Sequence, residues 1–299
     1  MNVEQLTAEF GIPDILAFET IGELAKAVVA CEGVIGEFFL QGAQLTRWQR
    51  PGGRPVLFMS ERSAFAPGKA IRGGIPVIFP WFGPYPSDPR LPQHGFARTA
   101  AWRLGAARHA PSEGVTLVLH LEPEPAAWQA ASVRYAVTVG PRLRLELSVS
   151  NTGREDILFE EALHTYFAVS DVAQAAVSGL EGRGYIDKTD AMRRKEAPAA
   201  PLVLSAETDS VFLDTPDRLT LTDRGWGRRT VITKTGARSA IVWNPWQEKA
   251  AAMADLGGDA WRSMICVETG NVADNAVRLA PGATHTMTTT IEVGGIPEA

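Results

Sequence analysis

Polar and apolar side chains alternate along much of this chain. Leu143-Arg144-Leu145-Glu146-Leu147-Ser148-Val149 is the cleanest case, and Val115-Thr116-Leu117-Val118-Leu119-His120-Leu121 and residues 133–139 read the same way. A period of two sends successive side chains to opposite faces of a strand, so each run predicts a strand with one face buried and one wet. Residues 219–222, 230–234, 239–243, 264–268 and 285–293 are further runs of this kind. Half-buried strands pair antiparallel and pack face to face, and no helical period alternates with them as a βαβ sheet would require. The expected fold is therefore all-β, a sandwich of antiparallel sheets with few short helices. Residues 3–10 are the best helix candidate and residues 27–31 form a short apolar run, but the first 30 residues otherwise have no predicted place in the sandwich. No linker, fixed-period repeat or low-complexity tract interrupts the pattern, so residues 1–299 are expected to form one domain.

One stretch breaks the alternation. Residues 65–99 are rich in Gly, Pro and aromatic groups, and long irregular segments of that composition are more often functional than disordered. The stretch holds Ile71-Arg72-Gly73-Gly74-Ile75-Pro76 and Pro92-Gln93-His94-Gly95-Phe96-Ala97-Arg98. Further on, Glu160-Glu161-Ala162-Leu163-His164-Thr165-Tyr166-Phe167 ends an apolar run in a histidine. Cys266-Val267-Glu268-Thr269-Gly270-Asn271 ends another in a carboxylate, where an unpaired charge is costly. Taken singly, Arg72 and Arg98 read first as structural ion pairs, His94 as a loop histidine and His164 as a core imidazole. Trp81, Phe82, Tyr85, Trp243 and Trp246 read mainly as core, with room for one or two to pack against a sugar ring.

Composition narrows the classes. With 45% hydrophobic and 21% charged residues the chain can bury a large core. Its 29 basic and 34 acidic residues give a net charge of −5 without a basic run, so nucleic acid is not an expected partner. The basic residues are mostly arginine, whose planar fork matches phosphate oxygens, and a small anionic ligand stays open. Cys31 and Cys266 are too few for a disulfide framework and are expected to be buried thiols. No apolar stretch approaches the roughly 18 residues of a membrane span, and the first residues do not read as a signal peptide, so a cytoplasmic protein without membrane contact is expected. The five histidines, 94, 109, 120, 164 and 285, lack metal-ligand spacing, and dinucleotide, phosphate-loop and metalloprotease motifs are missing. Neither a metal nor a cofactor is expected. What remains is acid–base chemistry by His and Glu, with arginine.

Taken together, Ile71 to Pro76, Gln93 to Arg98, Leu163 to Phe167 and Trp243-Asn244-Pro245-Trp246 followed by Glu268-Thr269-Gly270-Asn271 resemble the glucose-6-phosphate 1-epimerase family, a branch of the aldose 1-epimerases. The resemblance covers roughly residues 30–295, keeps the motif order, and implies a galactose-mutarotase-like β-supersandwich. It implies that His164 is the general acid and Glu268 the general base. Arg72, Gln93 and Arg98 would bind substrate, the arginines as phosphate ligands, and Asp209 would hold sugar hydroxyls. His94 matches a histidine that assists the acid in neutral-sugar relatives, while residues 249–255 look familiar without an assignable role. The implied reaction exchanges the α and β anomers of an aldose phosphate such as glucose 6-phosphate, on a chain expected to be a monomer. Two rivals stay open: a mutarotase for neutral sugars, which gains nothing from an arginine pair, and a non-catalytic carbohydrate-binding protein on the same fold. A third, a glycosidase or lyase on a similar sandwich, would process long chains and often be exported, and the absence of a signal-peptide pattern counts against it.

Overall fold

The structure is a computed structural model that describes residues 1–122 and 128–297. The predicted helix is present over Val3–Phe10, started by a reciprocal cap in which the Asn2 side chain accepts from the Gln5 N–H and the Gln5 side chain accepts from the Asn2 N–H. The rest is dominated by antiparallel strands in sheets of nine, eight, four and two.

The nine-stranded sheet runs in the order Leu202–Val203, Ala175–Ser178, Arg218–Asp223, Arg228–Thr235, Thr284–Gly295, Leu143–Asn151, Ala131–Val139, Gly114–Leu121 and Trp102–Ala110. It contains most of the strands predicted from alternation, and its members keep that pattern. In Leu143–Asn151 the side chains of Leu143, Leu145, Leu147 and Val149 are fully buried while Arg144, Glu146 and Ser148 face outward. The eight-stranded sheet is built differently. Its central members, Ser239–Asn244 and Met264–Asn271, are buried at every position. One face, with Val242, Val267 and Phe212, joins the main core between the sheets, while Trp243, Cys266 and Met264 form a separate cluster on the other face. Strands covered on both sides read as continuous apolar runs rather than alternating ones.

The first 30 residues are integral to the fold. Leu16–Ile21 and Leu24–Cys31 pair with each other, and Leu24–Cys31 continues into Val34–Phe39 and Gln44–Gln49 as the four-stranded sheet. Leu16, Ala27 and Val29 join the main core. The cysteine expectation needs one correction. Cys266 is buried, but Cys31 is only half-buried, its thiol donating to the Val139 carbonyl at 3.4 Å from the last position of the strand Leu24–Cys31.

Candidate active site

Strand register decides what faces what on the outer side of the eight-stranded sheet. Asp209 pairs with Trp243, Trp243 with Cys266, and Ile241 with Glu268. Directly paired residues share a face, so Asp209, Trp243, Cys266 and Glu268 project from the same side. His164 follows the strand Glu161–Leu163, whose Leu163 faces the core; one step along the chain reverses the direction and brings the imidazole to the same side. His164 Nε2 lies 3.5 Å from Glu268 Oε1, although 104 positions separate the two residues. The sequence expectation that these groups converge on one face is met.

The irregular segment supplies the opposite wall. Gly73 and Gly74 have φ of 117° and 63°, and a Cβ on Gly74 would lie 2.2 Å from the Leu45 carbonyl oxygen. Only glycine permits that approach, which fixes Arg72 where the loop meets the sheet. Gly95 plays the same part beside His94: its φ is 71° and a Cβ would meet the Phe79 carbonyl oxygen at 2.0 Å. His94 itself has φ 66°; its backbone N–H donates to the Gly83 carbonyl at 2.7 Å and its Nδ1 accepts from the Gly83 N–H at 3.2 Å. With Nδ1 accepting, the neutral ring carries its proton on Nε2. Burial, together with the charges of Arg98, Lys188 and Arg72, holds the His94 pKa well below its ordinary value, so the ring is a neutral donor.

These groups surround a cavity of about 370 Å³. All seven sequence-predicted site residues line it: Arg72, Gln93, His94, Arg98, His164, Asp209 and Glu268. The two arginines differ sharply. Arg72 donates from Nε and Nη2 to Asp255 Oδ2 at 3.0 and 2.8 Å, and from Nη1 to the Tyr166 hydroxyl at 3.0 Å. Arg98 donates from Nη2 to the Gln93 carbonyl at 2.8 Å and has no carboxylate partner among the described residues. Arg72 is largely committed within the protein; Arg98 is the open cation of the cavity.

Burial opposes both charges of the His164–Glu268 pair. Desolvation, reinforced by Asp209, pushes the Glu268 carboxyl well above its ordinary range, while Lys188 and Arg98 act against the shift. Desolvation and the neighbouring His94, Arg98 and Arg72 push His164 well below its own. A buried acid and base this close titrate as a unit and share a proton. His164 Nδ1 and both Glu268 carboxylate oxygens are buried without a hydrogen-bond partner. Buried polar atoms are rarely left unpaired, and three at one cavity floor mark where a polar ligand belongs.

Several lining residues were not singled out for the site from sequence. Tyr166 stacks on His164 with ring centroids 4.7 Å apart and planes 10° apart, tying Arg72 to the imidazole. It lay inside a quoted motif without a role. Lys188, Lys249 and Met253 line the cavity too, with Lys249 paired to Glu207 at 2.7 Å. Residues 249–255, left without a role, thus carry two lining side chains and the carboxylate that holds Arg72. Of the five aromatics flagged, Phe82 and Trp243 face the cavity. Trp81 packs on Tyr85 and Trp246 on Trp261.

The aldose 1-epimerase family model matches residues 33–292, most of the chain. The chain belongs to the aldose 1-epimerase family. This epimerase is 36% identical over 280 residues to a protein of Cenchrus ciliaris, covering 87% of this chain and 84% of that one, which carries the provisional name glucose-6-phosphate 1-epimerase. A protein of Escherichia coli K12 with the same provisional name is 31% identical over 263 residues, with 88% of each chain covered. Among solved structures, a protein of Salmonella typhimurium provisionally described as a mutarotase superposes with a TM-score of 0.87 at 28% identity, over 98% of this epimerase and 99% of that chain. A galactose mutarotase-like protein of Clostridium acetobutylicum, 14% identical, shares the fold with a TM-score of 0.71 over 94% and 98% of the two chains. The galactose-mutarotase-like fold expected from the motifs is therefore the fold observed, and the substrate class is a sugar.

Proposed function

We propose that this epimerase exchanges the α and β anomers of a hexose 6-phosphate, with glucose 6-phosphate as the reference substrate. The observation that carries the reading is the pairing of an orphaned acid–base couple, His164 and Glu268, with an uncompensated Arg98 in one cavity. Opening a pyranose needs a proton removed from the anomeric hydroxyl and another delivered to the ring oxygen. Glu268 takes the first, and His164, carrying the pair's proton in the reactive form, gives the second. The ring opens to the aldehyde, rotation about the C1–C2 bond presents the other carbonyl face, and the two groups exchange roles on closure. His94 Nε2–H is a fixed neutral donor beside His164, their ring centroids 5.7 Å apart, placed to steady an oxygen at the reacting centre. Asp209 accepts from sugar hydroxyls, and Trp243 and Phe82 offer apolar surface to the ring.

The phosphate contributes binding remote from C1, which positions the ring for two proton transfers worth about 10²–10⁴-fold each. Its receptor is Arg98, with Arg72 and the rim residue Lys249 close by. The test is anomer exchange of glucose 6-phosphate followed by NMR. Glu268→Gln and His164→Ala are each expected to remove most of the enzyme-catalysed exchange while circular dichroism stays unchanged. A variant with near-wild-type exchange would take that residue out of the chemistry.

A further inference from the structure

Lys188 closes the short strand Gly184–Asp187 and faces the cavity, yet acid–base exchange assigns it no task. Its backbone N–H donates to the Asp209 carbonyl at 2.9 Å, continuing the pairing of Gly184–Asp187 with Thr208–Phe212 by one residue. Its ammonium lies 3.2 Å from Asp209 Oδ2, with the two side chains 23% and 15% exposed, and 5.0 Å from the centre of the Phe82 ring. Ion pair and ring contact together fix the ammonium on the cavity side rather than leaving it to solvent.

The neighbours of Glu268 make this placement consequential. His164 faces the carboxylate from the link after Glu161–Leu163, Asp209 from the strand Thr208–Phe212, Lys188 from the residue after Gly184–Asp187, and Arg98 from the long loop; Cys266 and Tyr166 complete the surroundings. Among the described residues Asp209 is the carboxylate acting on Glu268, and two carboxylates in a buried cavity resist joint ionisation. Arg98 is required by the substrate phosphate, so it is unavailable as counter-charge once substrate is bound. Lys188 remains.

We propose that Lys188 is a positioning residue of the exchange reaction: paired with Asp209, it balances that carboxylate's charge so that Glu268 can act as base, and it holds Asp209 turned towards the sugar hydroxyls. The inference rests on Glu268 being the base. It is consistent with the opposite directions in which Asp209 and Lys188 move Glu268, the first raising and the second lowering its affinity for a proton. A merely structural ion pair would affect stability or KM and leave the pH dependence of kcat/KM in place.

The experiment is the pH profile of kcat/KM for glucose 6-phosphate exchange in wild type, Lys188→Met, Lys188→Arg, Asp209→Asn and the Lys188→Met/Asp209→Asn double variant. Removing the cation leaves Asp209 unbalanced, so the acid limb of Lys188→Met moves to higher pH and its rate loss deepens as pH falls. Asp209→Asn moves the limb to lower pH, the double variant returns it towards wild type, and Lys188→Arg leaves it in place. A Lys188→Met limb that coincides with wild type overturns the inference, whether or not KM rises. Because Asp209→Asn also weakens substrate binding, the Glu268 carboxyl is titrated in parallel by ¹³C NMR in the free proteins, where Lys188→Met must move it upward. Failure of the underlying reading looks different: Glu268→Gln would then keep its activity, and no Glu268-linked limb would be present in any variant.

Discussion

Arg72 and Arg98 look equivalent in the sequence, each an arginine in a glycine-containing motif of the irregular stretch, and the structure separates them by what else they hold. Three Arg72 contacts run to Asp255 and Tyr166, and Tyr166 in turn stacks on His164. Removing Arg72 therefore disturbs the acid–base pair and leaves Asp255 without that cation beside the proposed phosphate site. Removing Arg98 deletes a cation whose only hydrogen bond among the described residues is to a backbone carbonyl. Charge-assisted contacts to an anion contribute about 1.5–3 kcal/mol each, so Arg98→Ala is expected to lower kcat/KM for glucose 6-phosphate about tenfold to a hundredfold and to leave glucose nearly untouched. Arg72→Ala is expected to reduce both sugars, because its effect travels through Tyr166. Steady-state kinetics with the two sugars checks both, and equal losses for Arg98→Ala would make that arginine a holder of hydroxyls. Neither difference was legible in the sequence: Asp255 lies 183 positions from Arg72, and nothing in local composition announces the pair.

Legibility at the level of elements followed burial. Strands with one wet face, such as Gly114–Leu121 and Leu143–Asn151, were readable because water on one side enforces alternation. The segment 157–168 was not readable in detail, since it holds three strands of three residues each, Ile157–Phe159, Glu161–Leu163 and Tyr166–Ala168, nearly all buried. Those breaks matter, because the turn at 164–165 lifts the imidazole out of the sheet plane while Thr165 accepts a backbone bond from Val267. The irregular stretch 65–99 was correctly read as loop, with Val77–Ile78 its one strand. Its glycines were visible as signals of close approach, although what they approach, Leu45 for Gly74 and Phe79 for Gly95, is set by the tertiary fold and not by the local sequence. The N-terminal strands Leu16–Ile21 and Leu24–Cys31 went unplaced because their partners are mainly each other and the following hairpin, while the motifs that set the frame begin later.

For the whole molecule, the site is a concentration of buried charge that the fold would be more stable without. Glu268 is 1% exposed, and burial pushes its carboxyl well above the ordinary value of 4.5. The folded state therefore binds this proton more tightly than the unfolded chain, and stability falls as pH rises from the unfolded value through the folded one. Glu268→Gln removes the ionisation while keeping the shape. Its melting temperature is expected to match wild type near pH 4 and to exceed it by a few degrees at pH 8, with the gap opening between; a gap that closes as pH rises would contradict the linkage. The same cavity carries the proposed function. NMR exchange spectroscopy with glucose 6-phosphate and glucose at equal concentration measures anomer interconversion directly, free of coupling enzymes. Faster enzyme-catalysed exchange of the phosphorylated sugar, by tenfold or more in kcat/KM and lost in Arg98→Ala, is the expected result; equal rates for the two sugars, or no acceleration of either, would contradict the assignment of this epimerase to hexose phosphates.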